Sequence, residues 1–148
     1  MTTQQNFITI NSLLQSVVDK TAKAVSQKEA KKIKGDEQFL FVKAQRHFSQ
    51  GVRATTHFAE RVVQRFEEVE KDELAGAISR AIRKSKTLEN GCNHKAISQK
   101  ILDEATGIVV VLERIGLYGA TLVTTYKVGQ ENLLSEAEYK ELKLRGLV

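Results

Sequence analysis

Two runs near the carboxyl end, "GIVVVLERIG" (107–116) and "GATLVTTYKV" (119–128), constrain this chain most. β-Branched residues crowd both runs and glycines bound them, the signature of strands joined by tight turns. "KAISQKILDEA" (95–105) has the same character, so three consecutive strands of an antiparallel meander are expected. The "GLYG" between the last two reads as a hairpin turn and not as a phosphate-cradling loop.

Upstream the periodicity is helical. Phe7, Ile10, Leu14, Val17 or Val18, and Val25 recur at helical spacing, which predicts a helix over 7–33, ended at Gly35-Asp36. "EQFLFVKAQRHF" is read as a second helix, although its alternation also suits a short strand. Beyond Gly51, Thr55 or Thr56 is expected to cap a helix running to about Glu68, with Phe58, Val62 and Phe66 buried beside Val63. Asp72 is expected to cap the next helix, with Leu74, Ile78 and Ile82 inward. "ENGCN" (89–93) is a turn cluster, and Ser135 with Glu138 forms a capping box that opens a closing helix.

Helices followed by strands predict an α+β fold, with N-terminal helices packed on one face of a C-terminal antiparallel meander and a short C-terminal helix. The expected organisation is one compact domain, in which 1–50 form a helical arm and 51–148 the α+β body.

With 148 residues and 41% apolar content, the chain is long enough for one modest core. Its net charge of +5 is uneven. Residues 1–50 carry eight Lys/Arg against four acids, 51–100 ten against seven, and 101–148 five against seven. That balance favours polyanions through release of phosphate counterions. The start, "MTTQQNFITINSLLQ", does not read as a secretory signal, and no apolar stretch approaches the ~18 residues that span a membrane. A cytoplasmic protein without a membrane partner is expected. Three histidines and the single Cys92 show no "HxH", "CxxC" or "HExxH" spacing, so no metal or other cofactor is expected.

The stretch "THFAERVVQRF" (56–66) sets His57, Arg61 and Arg65 four residues apart, on one helix face. One reading is phosphate chemistry, with an imidazole as general base and two guanidinium forks on the phosphate. The other is a surface stripe, in which the arginines pair with Glu60, Glu68 or Glu70 for ~0–1 kcal/mol each. Strict alternation in the last strand would put Leu122, Thr124 and Tyr126 on one face, opposite Val123, Thr125 and Lys127.

This order resembles the barnase–EndoU–colicin–RelE-like group of small metal-independent ribonucleases: "H-x-x-x-R-x-x-x-R", a second short helix, then a meander ending in "TTY". Within that group it is similar to RegB-like phage endoribonucleases and to histidine–arginine helix domains of toxin systems, over roughly residues 55–127. The resemblance implies RNA cleavage by 2′-hydroxyl attack, with His57, Arg61, Arg65, Thr124 and Tyr126 as catalytic candidates. Lys100 is a further phosphate candidate, and Lys31, Lys32 and Lys34 are nucleic-acid-binding candidates that also fit a solvated helix face. His47 and His94 are the other histidines, and neither aligns as a second catalytic group. The implied partners are RNA, mRNA or ribosome-associated, and a host or cognate protein, with homodimerisation through the N-terminal helix. The alternative function is a non-catalytic binding or inhibitor protein on the same fold.

Overall fold

The computed structural model describes residues 7–33, 35–86, 97–130 and 136–144. Helix α1 (Ile10–Ile33) buries Leu13, Val17, Val18 and Ala22 along one side, so its apolar stripe lies in this chain's own core. Asp36 caps α2 (Glu37–Gly51) by accepting from the Gln38 amide at 3.0 Å. The ambiguous segment is helical because its buried residues, Leu40, Ala44 and Phe48, fall every fourth position.

Strand β1 (Val52–Ala54) follows α2 directly and leads into α3 (Thr56–Arg65). Of the two threonines proposed as a cap, Thr55 does the work, accepting from the Phe58 amide at 3.0 Å. Phe58, Val62 and Phe66 are buried as expected, whereas Val63 is exposed, and α3 stops at Arg65 rather than at Glu68. A single 3-10 turn, Glu68–Glu70, then leads into α4 (Lys71–Lys84). Asp72 does not cap α4. Its carboxylate pairs with Lys20 of α1 at 2.9 Å, and that hydrogen bond and charge hold it below the usual carboxylate range.

Strands β2 (Ile97–Asp103), β3 (Ile108–Ile115) and β4 (Gly119–Lys127) form the expected antiparallel meander. The fold is α+β, and the sheet has a fourth member, in the order β1-β4-β3-β2, with β1 parallel to β4. Three residues are too few to show a period, which is why "VRA" escapes a reading of the sequence. At Gly51 a Cβ would run into the carbonyl of Tyr118, so the α2–β1 junction sits backbone to backbone on the β3–β4 turn.

Helices α1, α2 and α4 cover one face of the sheet, where Val110, Leu112, Ala120 and Leu122 complete the main core. Thr21 of α1 and Ser79 of α4, both buried, meet hydroxyl to hydroxyl at 2.8 Å within it. Helix α5 (Glu136–Leu144) docks on the other face, where Leu142 packs on Val111 and Val123. No helix among the described residues is long and apolar enough to cross a membrane. The expected "ENGCN" turn with Cys92, His94, Lys34 and the expected capping residue Ser135 lie outside the described residues.

Candidate functional site

The strand that carries Thr124 does not alternate strictly. Val111 pairs with Thr124 and the next residue, Leu112, pairs with Leu122, so Val123 is an extra residue in β4. Such a bulge turns the side chains that follow it to the other face of the sheet. Leu122 therefore joins the helix-covered core, while Val123 and Thr124 both face α5. The expectation that Leu122 shares a face with Thr124 and Tyr126 is corrected here. Thr124 and Tyr126 still share a face, opposite Leu122.

Helix α3 runs beside β4 just past the end of β1, where the Thr55 amide bonds the Leu122 carbonyl at 3.1 Å. Its apolar side enters the main core, so the side four residues apart, His57–Arg61–Arg65, is left to face Thr124 and α5. Arg65 bonds the edge of β4 through the Thr125 carbonyl at 3.1 Å and reaches the Thr124 hydroxyl at 3.4 Å. A guanidinium thereby covers part of a strand edge that β1 is too short to pair.

All three side chains converge on one carboxylate, that of Glu138 in α5, which is 2% exposed. Arg65 grips it with two nitrogens, Nη2 to Oε1 at 2.8 Å and Nη1 to Oε2 at 3.3 Å. The Thr124 hydroxyl donates to Oε2 at 2.7 Å. Arg61 Nε lies 3.0 Å from Oε1 and His57 Nε2 lies 3.5 Å from Oε2, yet both nitrogens are buried without an aligned hydrogen bond. One carboxylate has two oxygens, and it is asked to serve four donor groups. The space left between His57, Val123, Thr124, Glu138 and Leu142 is about 10 Å³, too little for more than one water.

The arginines thus pair with neither Glu60, Glu68 nor Glu70, the partners a surface stripe would use, but with a residue 73 positions along the chain from Arg65. Glu70 pairs with Lys127 at 2.6 Å, which holds its carboxyl below the usual range. Glu138 is the member that sequence reading missed. It reads as a helix-capping residue, and nothing local indicates that its carboxylate turns inward.

The other candidates fall in different places. Tyr126 lies two residues from Thr124 on the same face and is 1% exposed, packed into the protein. Lys100 of the edge strand β2 pairs with Val111, which pairs with Thr124, so it stands in the same row about 10 Å from Thr124, with its side chain exposed. Lys31 and Lys32 occupy the last turn of α1, on the helix-covered side, and do not join the cluster. His47 stacks on Tyr118 with ring centroids 4.6 Å apart, also away from His57. Among the described residues no three His, Cys, Asp or Glu gather as metal ligands.

Chemically, the cluster is an anion site: two guanidinium groups, an imidazole and a hydroxyl surround a buried carboxylate carried by a terminal helix. No protein-family model, curated protein or solved structure matches the chain.

Proposed function

We propose that this protein is a metal-independent endoribonuclease-like protein in which His57, Arg61, Arg65 and Thr124 bind the scissile phosphate in the place that Glu138 now fills. The observation that carries this reading is the convergence of those four side chains on one buried anion, with two nitrogens left unaligned. A phosphate offers more oxygens than a carboxylate and would engage them together.

In the proposed reaction the ribose 2′-hydroxyl loses its proton and attacks phosphorus. The bond to the 5′-oxygen breaks, and that oxygen takes up a proton, leaving a 2′,3′-cyclic phosphate and a 5′-hydroxyl. His57, whose side chain is 33% exposed although its Nε2 is buried, is the proton-transfer group. Arg61 and Arg65 stabilise the charge that builds on the phosphorane oxygens, the kind of term that is often the largest in catalysis. Thr124, aimed by the bulge, donates to a non-bridging oxygen.

The test is cleavage of mixed single-stranded RNA in excess EDTA by wild type, Glu138→Ala and Glu138→Ala/His57→Ala. The expected result is faster cutting by Glu138→Ala than by wild type, reduced ~10²–10⁴-fold when His57 is also removed. Cutting that survives loss of His57 defeats the assignment.

A second reading, a non-catalytic RNA- or protein-binding factor, is favoured by one observation. Among the described residues His57 is the only imidazole at the cluster, and α5 closes it. RNA bound but left intact by Glu138→Ala would select that reading.

A further inference from the structure

A second group of cations lies on the helix-covered side of the sheet, where cations outnumber acids. A cavity of about 500 Å³ opens between the C-terminal half of α1, the end of α4 and the β3–β4 turn. That size suits a small organic ligand. At its floor Arg114 of β3 is 7% exposed. Its guanidinium donates to the carbonyls of Ile82, Gly116 (3.2 Å) and Leu117 and to the Ser85 hydroxyl (2.9 Å), all of them neutral acceptors. Burial pushes Arg114 below its ordinary value, and burial together with the neighbouring Arg80 does the same to Arg83.

Arg114 has a structural task, since it closes the carboxyl end of α4, whose dipole supplies roughly half a negative charge. That does not balance the cavity. Lys28 and Lys32, one turn apart on α1, and Arg83 on α4 also line it, against the single acid Glu29. Among the described residues none of these side chains has an ion-pair partner. The opposite wall is aromatic. Tyr118 is held by the stacked His47 and by Phe48 edge-on at 5.1 Å, and its backbone is locked against Gly51.

We propose that this cavity binds a small phosphorylated ligand with an aromatic body, of the nucleoside-phosphate class. The phosphate sits among Lys28, Lys32 and Arg83, with the Arg114 charge beneath it, and the base lies against Tyr118, Val25 and Leu117. The site is independent of the His57 cluster, because Arg114 pairs with Ala120 on the core face while Thr124 faces α5.

The experiment is titration of the full chain with AMP, ATP and inorganic phosphate by calorimetry at low salt. Wild type is expected to bind the nucleotides saturably at one site, with inorganic phosphate at least about tenfold weaker for want of the aromatic contact. Lys28→Glu/Lys32→Glu, which alters two exposed side chains, should weaken nucleotide binding by about tenfold or more. His57→Ala should leave it unchanged. No saturable binding at millimolar nucleotide overturns the proposal. So does binding that survives the double reversal, binding that is lost with His57, or phosphate binding as tight as nucleotide binding.

Discussion

Arg65 and Arg114 are both nearly buried, on opposite faces of one four-stranded sheet, and their charges are met in different ways. Arg65 faces Glu138 with two aligned nitrogens, beside Arg61 and the Thr124 hydroxyl. Arg114 faces only carbonyls and a hydroxyl, with further cations around the cavity above it. The first charge is neutralised by a side chain of α5, which packs on the sheet through Leu142. The second is built into the frame, joining the end of α4 to the β3–β4 turn. The contrast teaches that a buried cation can be satisfied either by an opposite charge or by neutral acceptors alone, and that only the second leaves its charge unbalanced.

The largest stability effect should come from the scaffold arginine. Arg114→Met removes the donors to three backbone carbonyls and is expected to cost about 2–3 kcal/mol in urea unfolding. Arg65→Met should cost less, about 1–2 kcal/mol, because α5 can undock and return Glu138 to water. That undocking would show as lost amide-exchange protection confined to α5. A loss of about 3–5 kcal/mol for Arg65→Met, the usual result of breaking a buried pair that cannot escape, would break the comparison.

Thr124→Val sharpens it next. This change keeps the shape and removes the 2.7 Å hydrogen bond to Glu138, for an expected ~1 kcal/mol, again localised to α5 by exchange.

Arg80 offers an intermediate setting, since it is partly exposed and bonded at 2.8 and 3.0 Å to Asp103, which is nearly buried. Arg80 chiefly, helped by the Thr106 hydroxyl, holds the Asp103 carboxyl below its ordinary value. A depressed carboxylate stabilises the fold above its unfolded pKa of about 3.9, and that contribution is lost as pH falls through the folded value. Wild type should therefore exceed Asp103→Asn in stability at pH 7, and the two curves should begin to converge as pH falls below the unfolded value of about 3.9 and meet below the lowered folded value. Curves that stay parallel would remove Asp103 as a titrating contributor.

The smallest effect concerns the unneutralised cations. AMP at a concentration equal to its Kd should raise unfolding stability by about 0.4 kcal/mol in wild type and not in Lys28→Glu/Lys32→Glu. A shift preserved in the variant would place the nucleotide elsewhere.

Much of the frame was legible in the chain. The strands announced themselves through β-branched runs between glycines, and the helices through buried residues at spacings of three and four. The stripe of His57, Arg61 and Arg65 was legible for the same reason, because period alone places them on one face. The parallel strand β1 was not, being three residues long and defined by its partner. Nor was the change of face within β4, because a bulge depends on how Val111 and Leu112 pair and leaves no mark in the residue types of β4 itself.

The role of Glu138 was the least legible. Its distance from Arg65 along the chain is 73 residues, and no local rule relates an acid in a terminal helix to cations that far upstream. The same holds for the Arg114 cavity, whose cations come from α1, α4 and β3 and meet only because those helices cover that face. The sequence by itself determined the elements, the α+β class and the alignment of three side chains on α3, since these follow from short-range period and backbone preference. Tertiary structure alone decided which charges meet and which are left unbalanced, because Coulomb interaction and burial depend on distance in space, which chain order does not carry.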